Sequence, residues 1–185
     1  MQGGVLALAA VVLLVLLVLL VFGFWVYQTA NRLDRLHVRY DLSWQALDAA
    51  LARRAVVARA VAVAIAEHGA AGAGKSLPSG GHQRLMVLAG RAERAPRQER
   101  EMCENELSAA LARVDLNVLP AALVAELADA EARVLLARRF HNDAVRDTLA
   151  LGERPTVRRL RLGGTAGLPT YFEIAERSRG LAPGD

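Results

Sequence analysis

The residues whose types and spacing come nearest to chemistry are Gly69-Ala70-Ala71-Gly72-Ala73-Gly74-Lys75-Ser76, which match the phosphate-loop pattern G-x-x-x-x-G-K-S at every required position. In a working loop the backbone N–H groups cradle phosphates. Lys75 would reach the β/γ oxygens and Ser76 would hold Mg²⁺. That chemistry needs a strand before the loop and a helix after it. Residues 61–66 instead belong to a helical repeat, and Pro78, Gly80 and Gly81 follow where the helix should start. No apolar run ending in Asp supplies a second metal-side group. Gly69, Gly74, Lys75 and Ser76 are therefore read as a decoy in an interhelix connection, and nucleotide binding is the alternative.

Other constellations point away from catalysis. His37, His68, His82 and His141 are scattered, with no H-E-x-x-H and no Glu-x-x-His pair. Asp34 and His37 form one pair at helical spacing, which suits a surface contact better than a metal site. Cys103 is the only cysteine, so an intrachain disulfide is excluded, and nothing nearby marks it as a nucleophile. Arg100-Glu101-Met102-Cys103-Glu104 faintly echoes the acidic box of nudix pyrophosphohydrolases, but lacks the upstream Gly and Glu. No catalytic residue, cofactor or metal is expected. Two arginine pairs remain, Arg53-Arg54 and Arg138-Arg139. Arg54 falls on a seam that should be buried, where a charge must be paired, and Glu104, Glu106, Glu126 and Glu131 are candidate partners. The pairs would set helix register, or alternatively form an anionic docking surface.

The elements that must position these residues begin with a charge-free opening. Residues 1–27 contain no Asp, Glu, Lys or Arg, so all 23 basic and 19 acidic residues lie after them. At about 1.5 Å per residue, residues 4–27 reach ~36 Å, against a hydrocarbon core of ~30 Å. Phe22, Phe24, Trp25 and Tyr27 place a membrane–water interface at its end. A cleaved signal peptide fits less well, since no basic residue precedes the core and the core is too long. Arg32, Arg35 and Arg39 follow, so the positive-inside rule predicts a cytoplasmic C-terminal domain. The same arginines could bind anionic headgroups. In the remainder the two signs of charge are interleaved, which disfavours a nucleic-acid partner. Lys75 is the only lysine; the arginine and alanine excess reads as codon bias of a GC-rich, bacterial genome.

After the anchor, Leu33, His37, Tyr40, Trp44, Leu47, Leu51, Arg54, Ala58, Val61 and Ile65 recur at alternating spacings of four and three, the signature of a packed helical seam. The pattern predicts a first long helix ending near His68. A second helix is expected over 82–118, broken by Pro96 at 95–97. Pro120 should sit in the first turn of a third helix over 121–151, ended by Gly152 and Pro155. Its buried side would carry Leu123, Leu127, Val134, Ala137, His141, Ala144 and Val145. The predicted division is an anchor over 1–28, a long-helix bundle over 29–155, and a tail over 156–185 in which a short helix at 172–178 could dock. The fold class is all-α: one transmembrane helix followed by an antiparallel, coiled-coil-like bundle of long helices.

Several segments carry a resemblance. They are Trp44-Gln45-Ala46-Leu47-Asp48, Leu51-Ala52-Arg53-Arg54, Glu104-Asn105-Glu106-Leu107-Ser108-Ala109-Ala110-Leu111-Ala112-Arg113-Val114, Leu119-Pro120, Ala137-Arg138-Arg139-Phe140-His141-Asn142-Asp143-Ala144-Val145-Arg146 and Tyr171-Phe172-Glu173. In this order the chain resembles the LemA family over about residues 1–175. It departs where the family has Tyr-Pro (Leu119-Pro120) and Tyr-Asn (His141-Asn142), and a second Tyr-Asn is replaced by Thr148-Leu149. The resemblance implies a single-pass, membrane-anchored helical bundle without established catalytic activity. It also implies a scaffold or adaptor role beside membrane metalloproteases or TPM-domain proteins. Trp44, Arg53, Arg54, Pro120, Arg138, Arg139 and Asn142 are the expected structural and interaction residues. Expected partners are the lipid bilayer, a membrane protein and a second copy of the chain.

Overall fold

The computed structural model describes residues 2–70, 80–160, 162 and 167–174. The elements are α1 (Gln2–Ala70), α2 (Gly81–Arg94), α3 (Arg97–Leu111), a 3₁₀ turn (Leu116–Val118), α4 (Ala121–Gly152) and α5 (Pro155–Arg159). No strand occurs among the described residues.

α1 is a single helix of 69 residues. It lacks proline throughout, and its abundant Ala and Leu favour the helix intrinsically. Its N-terminal part holds an 18-residue window with a mean hydropathy of 3.3, none of it buried, so it is long and apolar enough to cross a membrane. Phe22 and Trp25 stack with ring centroids 6.2 Å apart. The Thr29 hydroxyl donates back to the Trp25 carbonyl at 2.8 Å, which satisfies an otherwise polar side chain within the helix itself.

The chain divides into two compact units, one of residues 1–41 and 143–170, the other of 42–142 and 171–185. The division passes through α1 and α4. In the first unit Leu33, Leu151 and Val157 form a small core with Leu36 and Leu162 against it. Arg39 pairs with Asp147 at 3.1 Å. The second unit holds the larger core. Val57, Ala58, Val61 and Ile65 of α1, Leu85 and Ala89 of α2, Cys103, Leu107 and Leu111 of α3, and Leu127 of α4 pack together. Cys103 is 2% exposed, a small apolar filler in this cluster. Leu47, Leu51, Val134, Phe172 and Ile174 form a neighbouring cluster flanked by Trp44. All ten α1 seam positions are buried or half-buried, as are the seven expected on α4.

Four expectations are corrected. The second helical stretch stops at Leu111 rather than Val118. There Asp115 accepts from the Asn117 backbone N–H at 3.0 Å, a local turn that competes with the helix. Pro120 precedes α4 and does not lie inside it: its carbonyl accepts from Leu123 and Val124, which makes it the cap. Pro155 does not simply end α4; it opens α5 at the position where a missing N–H costs nothing. Finally, residues 172–174 of the expected tail helix are non-helical, and 175–178 lie outside the described residues. Pro96 breaks the chain between α2 and α3 as expected.

Candidate functional site: a buried ion cluster beside a pinned chain segment

Where α1 faces α3, Arg54 and Arg100 are 5% and 4% exposed and Glu104 is fully buried. Arg54 Nη2 lies 2.5 Å from Glu104 Oε2, and its Nη1 donates to Ser108 Oγ at 3.1 Å. Arg100 Nη2 pairs with Asp48 Oδ1 at 2.9 Å. Its Nε lies 3.3 Å from Glu104 Oε1, close enough for Coulomb attraction but too poorly aligned for a hydrogen bond, so both atoms lack one. One carboxylate thus sits between two guanidinium groups, with Asp48 balancing the second.

Arg100 has a further task that follows from Pro96. Breaking a helix frees its last carbonyls, which must find other donors. Arg100 Nη1 turns back to the carbonyls of Glu93 at 2.9 Å and Ala95 at 3.4 Å. The same side chain therefore caps α2, opens the way into α3 and neutralises Glu104.

Around this cluster lie half-exposed pairs. Arg53 meets Glu126 at 2.6 Å, Arg59 meets Glu93 at 2.5 Å, and Arg91 meets Glu106 at 3.1 Å. The hydrogen bond from Arg59 holds the Glu93 carboxyl below its ordinary 4.5, partly opposed by desolvation. On the surface of α4, a hydrogen bond from Arg133 likewise lowers Asp129.

Trp44 anchors the second feature. Its ring meets His141 edge-on at 5.5 Å and Phe172 at 5.7 Å, while the Arg97 guanidinium lies 4.1 Å over its face. His141 is 1% exposed, with Nδ1 3.1 Å from Ser43 Oγ. Phe172 belongs to a short non-helical segment, residues 171–174, which is held by its main chain. The Asn142 side chain donates to the Phe172 carbonyl at 3.1 Å and accepts from the Phe172 N–H at 2.9 Å. Asn105 donates to the Glu173 carbonyl at 3.4 Å, and Glu101 accepts from the Glu173 N–H at 3.2 Å. Arg138 pairs with the Glu173 carboxylate at 3.3 Å.

Of the sequence-predicted residues, Trp44, Arg138 and Asn142 thus converge on this segment. Arg54 joins the ion cluster with Glu104, and Arg53 takes Glu126. Arg139 is exposed, and Pro120 acts only as a helix cap. Of the phosphate-loop match, residues 71–76 lie outside the described residues. What precedes them is α1, a helix through Ala70, where a nucleotide site requires a strand. Among the described residues no three His, Cys, Asp or Glu side chains group as a metal site.

Sequence reading missed a second seam. Leu42, Ala46, Ala49, Arg53, Val56, Ala60 and Val63 follow one another at spacings of four and three, and all are exposed. They run two residues out of phase with the buried seam, about 200° round the helix. Beside them on α4, Leu136 and Phe140 are 54% and 57% exposed. An open groove of about 630 Å³ lies along Ala46, Ala49, Arg53, Leu136 and Phe140. The signal was present in the spacing, but alanines and one arginine masked it.

No family model, curated protein or solved structure matches the chain.

Proposed function

We propose that this protein is a membrane-anchored, noncatalytic scaffold or adaptor of the LemA type, built as an antiparallel bundle of long helices whose outer faces receive membrane-protein partners. The observation that carries the reading is the pairing of two exposed apolar features on one helix. The N-terminal window of α1 has a mean hydropathy of 3.3 with nothing covering it. Further along, the Leu42–Val63 seam keeps a seven-residue period and is exposed at all seven positions. A heptad period is the spacing that a second helix reads, and an uncovered apolar patch marks an interaction site. The helices of a membrane metalloprotease, of a TPM-domain protein or of a second copy are the occupants this predicts. The domain lies on the cytoplasmic side, as the arginines after the anchor suggest.

The test is crosslinking in cells followed by mass spectrometry. Membrane-protein crosslinks should map to the outer seam and disappear in an Ala49→Glu, Val56→Glu variant that remains folded. Crosslinks confined to soluble proteins, or unchanged in that variant, would refute the adaptor reading. A C-terminal phosphatase fusion should be inactive and a C-terminal fluorescent fusion bright.

A further inference from the structure

We infer that the end of the first unit nearest the anchor is a docking surface for anionic lipid: Arg32 and Arg35 of α1, with Arg154, Arg158 and Arg159 at α5, form one cationic patch that binds phosphate-bearing headgroups. The inference rests on the anchored reading above and adds to it which lipids the protein gathers.

In the sequence only Arg32, Arg35 and Arg39 stand beside the anchor. The fold changes that set. Arg39 is taken by Asp147 at 3.1 Å. In its place α4 and α5 bring the chain back to the membrane-proximal part of α1, where Leu151 and Val157 pack with Leu33, and Leu36 and Leu162 lie against them. α5 opens at Pro155 and buries Val157, which is 2% exposed. At 3.6 residues per turn, Arg158 and Arg159 rotate away from that buried side. Both stay exposed, as does Arg154 at the cap. All five arginines belong to the same compact unit.

Their level is that of the headgroups. Arg32 and Arg35 lie about 8 and 12 Å beyond Tyr27 along α1, and Leu33, which holds α5, about 9 Å. Residues 6–25 of α1 are all exposed, whereas Val26, Thr29 and Ala30 are half-buried, so the cover over α1 begins at the aromatic belt. A snorkelling arginine spans the remaining gap. The carboxylates nearby are mostly occupied: Asp143 by Arg146 at 2.8 Å and Asp147 by Arg39. Asp34 and Glu153 remain, against five exposed arginines with no ion pair among the described residues. A guanidinium binds phosphate through two parallel hydrogen bonds. Four or more basic residues beside a membrane helix suffice to hold anionic lipid, each strengthening the attraction about fivefold.

The experiment uses full-length protein in phosphatidylcholine vesicles containing some phosphatidylglycerol, with one or the other lipid brominated near the headgroup. Quenching of Trp25, at the anchor's end, reads which lipid lies beside it; Trp44 is nineteen residues further along α1. Brominated phosphatidylglycerol should quench several-fold more effectively than brominated phosphatidylcholine, and high salt should abolish the preference. An Arg154→Gln, Arg158→Gln, Arg159→Gln variant and an Arg32→Gln, Arg35→Gln variant should each lose at least threefold of it. Arg133→Gln, a change in the other unit, should lose none. Equal quenching by the two lipids, a preference retained in both variants, or an equal loss in Arg133→Gln overturns the inference. Displacement by inorganic phosphate at matched ionic strength would make this a soluble-anion site and overturn the lipid reading. A chain that does not float with pure phosphatidylcholine vesicles overturns the anchored reading as well, whereas one that floats without preference overturns this inference alone.

Discussion

Removing a charge from the Arg54–Glu104–Arg100 cluster should cost different amounts depending on which member goes. Glu104 is fully buried between two guanidinium groups, so Glu104→Ala strands the charge of Arg54, while Arg100 keeps Asp48. Uncompensated buried charge costs about 3–5 kcal/mol. Arg54→Ala leaves Glu104 still facing Arg100 and should cost less, about 1–3 kcal/mol, the range of an unsatisfied buried group. Arg53→Ala removes only an exposed pair with Glu126 and should cost no more than about 1 kcal/mol. Denaturant unfolding of the solubilised protein checks the order; Arg53→Ala matching Glu104→Ala would mean that burial does not decide these energies. The need for a partner at Arg54 was legible in the sequence, because a charge on an apolar seam has to be neutralised. The involvement of Arg100 was not: it comes from a helix break whose freed carbonyls recruit a side chain, and no spacing announces that.

Helices add predictions with opposite signs from intrinsic propensity. Proline disfavours a helix interior by about 3 kcal/mol, so Pro96→Ala should stabilise α2 and α3 if they were isolated. Here it should destabilise the protein, because a continuous helix would withdraw the Glu93 and Ala95 carbonyls from Arg100 and turn Arg100 away from Glu104. A raised unfolding temperature would refute this. Between α1 and α2, Arg59 lowers the Glu93 value below 4.5 in the folded state. The pair therefore contributes stability above the unfolded carboxyl value and loses it as pH falls through the lowered one. Because both side chains are about one-third exposed, solvent screens much of this. Glu93→Gln should flatten the acid limb of the melting-temperature profile between pH 6 and pH 3; an unchanged limb would count against the pair. Helix α1 was the most legible element, since without interruption its four–three rhythm stays in phase from Leu33 to Ile65. The outer seam was hidden by alanine, which suits both a buried and a solvated face. That the chain docks at Phe172 was legible, but its non-helical form there was not, because Asn142 holds it through main-chain atoms, which leave no residue pattern.

Across the whole molecule, the proposed anchoring can be tested by charge arithmetic. At the centre of a membrane helix one arginine costs about 2.5–3.5 kcal/mol, while each Leu, Val or Phe contributes about 0.3–0.6 kcal/mol. Residues 4–27 are so rich in Leu, Val and Phe that a single Leu14→Arg should be absorbed, with the chain remaining in the membrane fraction. Adding Leu17→Arg brings the sum near zero and should release a substantial share into the aqueous fraction. Carbonate-washed membranes, probed for the full-length chain, give the measurement. The two positions are 60% and 57% exposed and touch no core, so release cannot be attributed to unfolding of the helical units. Retention of the double variant would mean that attachment does not depend on this helix. A wild-type chain already in the aqueous fraction would mean that the exposed apolar window of α1 meets another protein rather than lipid.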